Sequence, residues 1–275
     1  MPDLPPGVLR GSARGNFRLL HRPAGPAVVD VVDVYWIVEW AVPPGEERVQ
    51  HVVTRPCVHL SVEDREARVT GVVTRCFERV LVGSGRVVGV RFRPAGFSAL
   101  CPLPLTEITD RILPAATVLG DDAAADLAEV GGAGEIDEAV RLVERCVERH
   151  RGPLPDGADL VDEAVELIAA ETDITRVDQV AAELGVSART LQRRFERFLG
   201  VGPKWVVQRR RIHDALDEIE HGRDLDWSAL AVRLGFADQA HFVNAFTDLV
   251  GQPPSHYERK PARPDAQNGT GRPSR

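Results

Sequence analysis

Apolar and polar residues alternate with a period near two through residues 35 to 110. Beyond residue 119 they recur with a period near 3.6, so the chain reads as a β-rich region followed by helices. Tyr35-Trp36-Ile37-Val38-Glu39-Trp40 and Arg48-Val49-Gln50-His51-Val52-Val53 flank the turn signal Pro43-Pro44-Gly45. Phe77 to Val82 and Arg86 to Phe92 flank Gly83-Ser84-Gly85 in the same way, and strands of this length predict a small barrel or sandwich. Val28 to Val34 fits a short helix as well as a strand. Further on, Ile136, Val140, Val143 and Val147 fall on one helical face, opposite Arg141, Glu144, Arg145 and Glu148. That stripe either dimerises or packs on the β-region. Arg151-Gly152-Pro153-Leu154-Pro155-Asp156-Gly157 then breaks the helix and marks a domain boundary. The segment from Pro261 to Arg275 lacks any large apolar residue and reads as a disordered tail.

After the boundary the apolar pattern repeats. Val177, Val180, Ala181, Leu184 and Gly185 recur as Trp227, Leu230, Ala231, Leu234 and Gly235. With one inserted residue, Leu191, Phe195, Leu199, Gly200 and Pro203 recur as Phe242, Phe246, Val250, Gly251 and Pro254. Each copy predicts a short helix, a glycine suited to a left-handed C-cap, a tight turn, and a longer helix. Thr175 and Asp226 are the expected N-caps of the short helices, and Ser187 and Asp238 those of the longer ones. Two helices so joined, the second with a polar face, form a helix-turn-helix. Between the copies, Lys204 to Glu220 carries Trp205, Ile212, Leu216 and Ile219 on one face, as a rigid linker helix does.

The polar face of the first longer helix is centred on Arg193, with Arg189, Gln192 and Arg197 beside it. Arginine and glutamine read guanine and adenine edges through paired hydrogen bonds. The second copy presents Ala240, His241, Asn244 and Thr247, a face with no positive charge; Asn244 suits adenine. Ser187, Lys204 and Arg210 are candidate phosphate contacts.

The net charge of −7 looks wrong for a nucleic-acid binder until it is divided along the chain. Arg176 to Lys260 carries 13 basic and 12 acidic residues, and Arg189 to Arg211 has eight basic residues against the single acid Glu196. Local clustering governs phosphate attraction, which acts within about 8 Å at physiological salt. Lys204 and Lys260 are the only lysines, an arginine bias common in GC-rich genomes. No run of 18 apolar residues and no basic-then-apolar N-terminus occurs, so a cytoplasmic protein is expected. Cys57, Cys76, Cys101 and Cys146 lie far apart, as buried free thiols do in a reducing compartment.

The run Ala182 to Phe195, together with Leu234 to Phe246 and its continuation Gly251-Gln-Pro-Pro-Ser-His-Tyr257, resembles the DNA-binding module of the bacterial AraC/XylS-type regulators. The match spans Ala158 to Arg259 and begins with a preceding helix at Leu160 to Ala170. This resemblance implies a seven-helix monomeric module that usually recruits RNA polymerase. On matching positions, base reading falls to Arg189, Gln192 and Arg193 first, then to Gln239, His241 and Asn244. Many members carry a basic residue where Asn244 stands. Residues 1–120, around Tyr35 to Trp40 and Arg91 to Phe97, resemble N-terminal domains of one branch of these regulators. That implies a cupin-like β-fold with an effector or partner role, and names no ligand.

The expected architecture is α+β. It comprises a cupin-like β-barrel or sandwich over 1–120, a helical connector over 121–152 that is a candidate for homodimerisation, the double helix-turn-helix over 158–260, and the tail over 261–275. The expected function is a sequence-specific transcription regulator that binds double-stranded DNA and senses an unknown small molecule or mediates association. Tyr35, Trp36, Trp40 and Arg93 are candidate pocket residues, against core packing for at least one tryptophan and a solvated strand face for Arg91 and Arg93. No cofactor or metal is called for. His51 and His59 are the only histidines in the β-strand region, eight apart, and read as separate residues before they read as a metal pair. A metal-dependent cupin-type enzyme fused to a DNA-binding module is the competing reading. Cys57 and Cys76 are oxidant-sensing candidates only if their thiol pKa is lowered.

Overall fold

The computed structural model describes residues 16–220 and 226–257, and the tail from Pro261 lies outside the described residues. The first part is β-rich. Strands β1 (Asn16–Pro23), β2 (Val32–Ala41), β4 (His59–Glu63), β5 (Glu66–Thr70), β7 (Ser84–Phe92) and β8 (Ile112–Pro114) form an antiparallel sheet in the order β1-β2-β7-β4-β5-β8. Strands β3 (Glu47–Val52) and β6 (Phe77–Val82) pair separately as a two-stranded ribbon. Val28 to Val34 resolves as a turn followed by a strand: Val31 and Val32 both bond back to the Val28 carbonyl before β2 begins.

Alternation along β2 sets two faces. Tyr35 and Ile37 are fully buried in the main core with Leu60, Val90, Phe92 and Phe97. The opposite face carries Trp36 and Trp40, each paired with a glycine of β7: Trp36 with Gly89 and Trp40 with Gly85. A Cβ on Gly89 would sit 2.1 Å from the Trp36 ring, and one on Gly85 2.3 Å from the Trp40 ring. Each indole occupies the space its cross-strand glycine leaves, which fixes the register of β2 against β7.

Helices α1 (Ala115–Leu119), α2 (Asp121–Ala128) and α3 (Ile136–His150) follow the sheet. The α3 stripe is inside the molecule: Val143 and Val147 are 1% and 0% exposed, in one core with the sheet residues. Of the two readings of that stripe, the structure takes packing on the β-region. The break at residues 151–157 is likewise pinned down, since Arg151 is paired with Asp30 and the Gly152 N–H donates to the Ala99 carbonyl at 2.8 Å.

The second part consists of α4 (Asp159–Ala170), α5 (Val177–Glu183), α6 (Ala188–Phe198), α7 (Pro203–Glu220), α8 (Trp227–Arg233) and α9 (Gln239–Val250). Among the described residues these six helices are followed by a 3-10 turn at Pro254–His256, where the resemblance implies seven helices in all. The β-region is docked onto these helices. The Arg93 guanidinium donates to Glu166 at 2.6 Å, the Ala95 N–H to Asp162 at 2.8 Å, and the Thr109 hydroxyl to the Gly200 carbonyl at 2.7 Å. Val72 and Ala95 join the core of α4 to α7, and Val53 joins the core of α7 to α9. No helix among the described residues is long and apolar enough to cross a membrane.

Candidate nucleic-acid interface

Each repeat folds as the pattern predicts. In the first, α5 ends at Gly185 with φ +64°, and the Ser187 hydroxyl accepts from the Thr190 N–H at 3.0 Å to open α6. In the second, α8 ends at Gly235 with φ +74°, and the Asp238 carboxylate accepts from the His241 N–H at 2.7 Å to open α9. Asp226 caps α8 through the Ser228 and Ala229 N–H groups. At the start of α5 the cap differs from expectation. The Gln179 side chain reaches back to accept from the Thr175 and Arg176 N–H groups at 3.0 and 2.9 Å, so the capping oxygen is an amide within the helix and not the Thr175 hydroxyl.

Leu191, Phe195 and Phe198 bury one side of α6, which leaves Arg189, Gln192, Arg193 and Arg197 exposed on the other. Arg189 and Arg193 have no ion-pair or hydrogen-bond partner among the described residues. The Gln192 amide donates to Glu196 at 2.7 Å along the same face, and Arg197 lies 5.5 Å from the Phe198 ring. Ser187 and Lys204 are exposed at the starts of α6 and α7. On α9, Gln239, His241 and Asn244 are all exposed, with the His241 ring set edge-on against Phe236 at 5.3 Å. Trp227 stacks on Phe242 and Phe242 meets Phe246 edge-on, which holds α9 against α8 from behind.

The basic cluster is thinner at the surface than the sequence implies, because the triplet Arg209-Arg210-Arg211 turns inward. Arg210 is a correction to the phosphate-contact assignment. Its guanidinium donates to the Thr172 carbonyl at 2.9 Å, pairs with Asp214 at 2.8 Å, and has a side chain only 10% exposed. Arg211 donates to the Leu234 carbonyl and lies 3.9 Å over the Phe236 ring, tying the linker helix to the turn of the second repeat. Arg209 is 3% exposed and lies 5.0 Å over the Trp205 ring; burial pushes its pKa down to about 10. Arg194 is held by the Asp156 carbonyl and the Phe198 ring. What faces solvent is therefore Arg189, Arg193, Arg197 and Lys204. For Arg209 the signal was present in the sequence: Trp205 and Arg209 are four apart, on the face that also carries Ile212 and Leu216.

The four pocket candidates of the β-region are not brought together. Tyr35 is in the core beneath the sheet, whereas Trp36 and Trp40 lie on its other face. The Trp40 indole N–H donates to the Val82 carbonyl at 3.1 Å and its ring packs with Val42 and Leu81. Arg93 is taken up by Glu166 and Asp162 of α4, and Arg91 donates to Asp33 at 2.6 Å, so neither offers a free cation to a ligand. His51 sits on the ribbon bonded to Glu78 at 2.9 Å, while His59 sits on the main sheet, 3.6 Å from the Cys57 sulfur and edge-on to Trp36. The Cys57 and Cys146 thiols are both pushed up to about 12 by burial, which keeps them protonated and unreactive. All four cysteines are free, and Cys76 alone is half-buried.

Residues 21–114 match the family described as Domain of unknown function (DUF6597), and residues 180–260 match the family described as Helix-turn-helix domain. No curated protein matches the chain. Among solved structures, a variant of apo ToxT from Vibrio cholerae strain SCE256 is similar with a TM-score of 0.42 at 12% identity, over 86% of this chain and 98% of that one. Unsaturated fatty acid-bound ToxT from the same strain gives 0.36 at 13% identity, over 91% and 92%. The transcriptional regulator CdpR from Pseudomonas aeruginosa gives 0.32 at 21% identity, over 64% and 45%. Residues 180–260 thus belong to a helix-turn-helix domain, built here as two successive capped units, the arrangement of a DNA-binding module.

Proposed function

We propose that α6 is the principal base reader and that it acts through Arg193, with Arg189, Gln192 and Arg197 beside it. The observation that carries this is the division among the arginines. Those on α6 that point outward have no charge partner among the described residues, while Arg210 and Arg211 of α7 are bonded within the protein. An exposed, unpaired arginine on a capped and buried helix is free to exchange its water for a guanine edge. Gln239, His241 and Asn244 on α9 form the second reader, neutral and therefore dependent on direct contact more than on phosphate attraction. Ser187 and Lys204 supply phosphate contacts. Linker α7 has 18 residues, about 27 Å of helix, which suits two readers placed in successive major grooves about 34 Å apart.

On this reading the protein acts in the cytoplasm on chromosomal promoters and works with RNA polymerase. The β-region responds to a small molecule or associates with a partner. Any homodimer uses a surface other than the α3 stripe, which is covered by the protein's own sheet. Selection of binding sites from a random duplex pool tests the assignment. It should return a bipartite site with halves about 10 bp apart, one half more sharply defined than the other. Arg193→Ala should blur the sharper half alone. A pool that enriches no sequence, or a sharper half that is lost with Asn244→Ala and kept with Arg193→Ala, would overturn the assignment.

A further inference from the structure

Away from the DNA-binding helices, one group of three side chains among the described residues combines a sulfur, an imidazole nitrogen and a carboxylate oxygen. Cys146, His150 and Asp126 bring these atoms within 4.8 Å of one another. Cys146 and His150 are four apart on α3, which sets them one turn apart on a single helical face. Asp126 comes from α2, the helix packed against α3, and its carboxylate meets the His150 Nε2 at 2.7 Å. The Cys146 sulfur is on the inner side: the residue is 3% exposed, and its thiol donates to the Ala123 carbonyl of α2 at 3.7 Å. The Asp126 and His150 side chains are 29% and 21% exposed, so the group opens to solvent on their side. Arg149 reaches Asp126 at 3.3 Å from outside, but this arginine is itself exposed, and such a surface pair is displaced at little cost.

We propose that Asp126, Cys146 and His150 form a binding site for a borderline divalent cation of the Zn²⁺ class, with water in the fourth position. Thiolate, imidazole and carboxylate are the ligands such an ion takes, and three of them with one side open leave room for a water. Bonds of about 2.0–2.3 Å in a tetrahedron place the ligand atoms about 3.3–3.6 Å apart. The His150–Asp126 contact therefore opens and the sulfur moves in, each by about 1 Å or less, a distance that side-chain rotation covers. A hard ion such as Mg²⁺ is disfavoured by the sulfur, the nitrogen and the single carboxylate. A competing role, a Cys-His-Asp nucleophile, needs a thiol that a substrate can reach, and this sulfur faces the core of the β-region. Burial and the neighbouring Asp126 charge hold the thiol protonated without a cation, so its proton leaves to water as the sulfur takes the ion. The ion ties α2 to the last turn of α3, directly ahead of the break at residues 151–157. The site does not depend on the reading of α6 as a base reader.

The test uses the full-length, untagged chain, stripped with EDTA, freed of chelator and titrated with Co²⁺ as a spectroscopic substitute for Zn²⁺. One equivalent should give an intense near-ultraviolet thiolate-to-cobalt band and the visible bands of tetrahedral cobalt, and Zn²⁺ added afterwards should abolish both. The unfolding midpoint should rise with Zn²⁺ and not with Mg²⁺. Cys146→Ser should remove the near-ultraviolet band. His150→Gln changes a half-buried side chain at the end of α3 and should keep the fold. It should weaken cobalt binding at least about tenfold, the loss produced by removing even a residue that only braces a metal ligand. A wild type that shows no thiolate-to-cobalt band overturns the proposal, however the variants fold. So does a band that survives Cys146→Ser, or a cobalt affinity unchanged in His150→Gln. Cobalt spectra need no DNA, so failure of the DNA reading would show in site selection and not here.

Discussion

Arg210 and Arg193 lie seventeen residues apart in one basic cluster, one packed and one exposed, and one pair of variants separates their expected roles. In Arg210→Ala, the carbonyls of Thr172 and Ile174 lose their donor and the partly buried Asp214 loses its counter-ion. Hydrogen bonds from a charged donor contribute about 1.5–3 kcal/mol net, and an ion pair broken on one side adds its desolvation cost. A loss of about 2–4 kcal/mol follows, or roughly 5–15 °C in unfolding temperature for a domain of this size. Arg193→Ala removes a side chain with no partner among the described residues, so stability should change by less than about 0.5 kcal/mol. Its effect belongs to binding, where losing a bidentate base contact costs about 1–3 kcal/mol, some 5- to 150-fold in affinity for the selected site. Urea unfolding and fluorescence anisotropy on the same duplex, repeated at several salt concentrations, read both quantities. Arg210→Ala should keep the wild-type salt slope, whereas Lys204→Ala should lower it by about one unit. An Arg210→Ala protein of wild-type stability with a flattened salt slope would refute the argument and restore Arg210 as a phosphate contact.

Burial holds the His59 and His213 imidazoles at a pKa of about 4, below the usual value near 6.5. Folded histidines that stay neutral while unfolded ones take protons make stability fall as pH drops from about 6.5 to 4, with no further loss from them below that. Urea midpoints measured across this range should fall less steeply for His213→Gln than for the wild type, and identical slopes would show that His213 is not held neutral. Gly89→Ala places a methyl group 2.1 Å from the Trp36 ring and should cost about 1–3 kcal/mol, relieved in the double variant with Trp36→Ala; additive losses would refute the steric account. Asp162→Ala leaves the buried Ala95 N–H unpaired and takes a counter-ion from Arg93, so limited proteolysis should cut faster at residues 151–157. Unchanged cleavage would mean that this contact does not hold the β-region to α4.

Where local chemistry decided the structure, the sequence was readable. The glycines at 185 and 235, the caps Ser187, Asp226 and Asp238, and the apolar spacing of Leu191, Phe195, Phe242 and Phe246 each act within a turn or two of helix, so the double repeat and the outward face of α6 were visible in one dimension. The assignments that changed depend on what approaches from far along the chain. In the sequence Arg93 is a pocket candidate or a solvated strand residue because Asp162 and Glu166 are about seventy residues away, and Arg210 is a phosphate-contact candidate because Thr172 and Ile174 are nearly forty away. For Tyr35 and Trp36 strand alternation alone is enough, since it sends them to opposite faces of the sheet. A charged residue's sequence neighbours give its local field, but only the packing of the two regions tells whether that charge meets water, a carbonyl or nothing. In the triplet Arg209-Arg210-Arg211 these outcomes diverge within three positions. Arg210 and Arg211 find carbonyls, and Arg209 finds an aromatic ring.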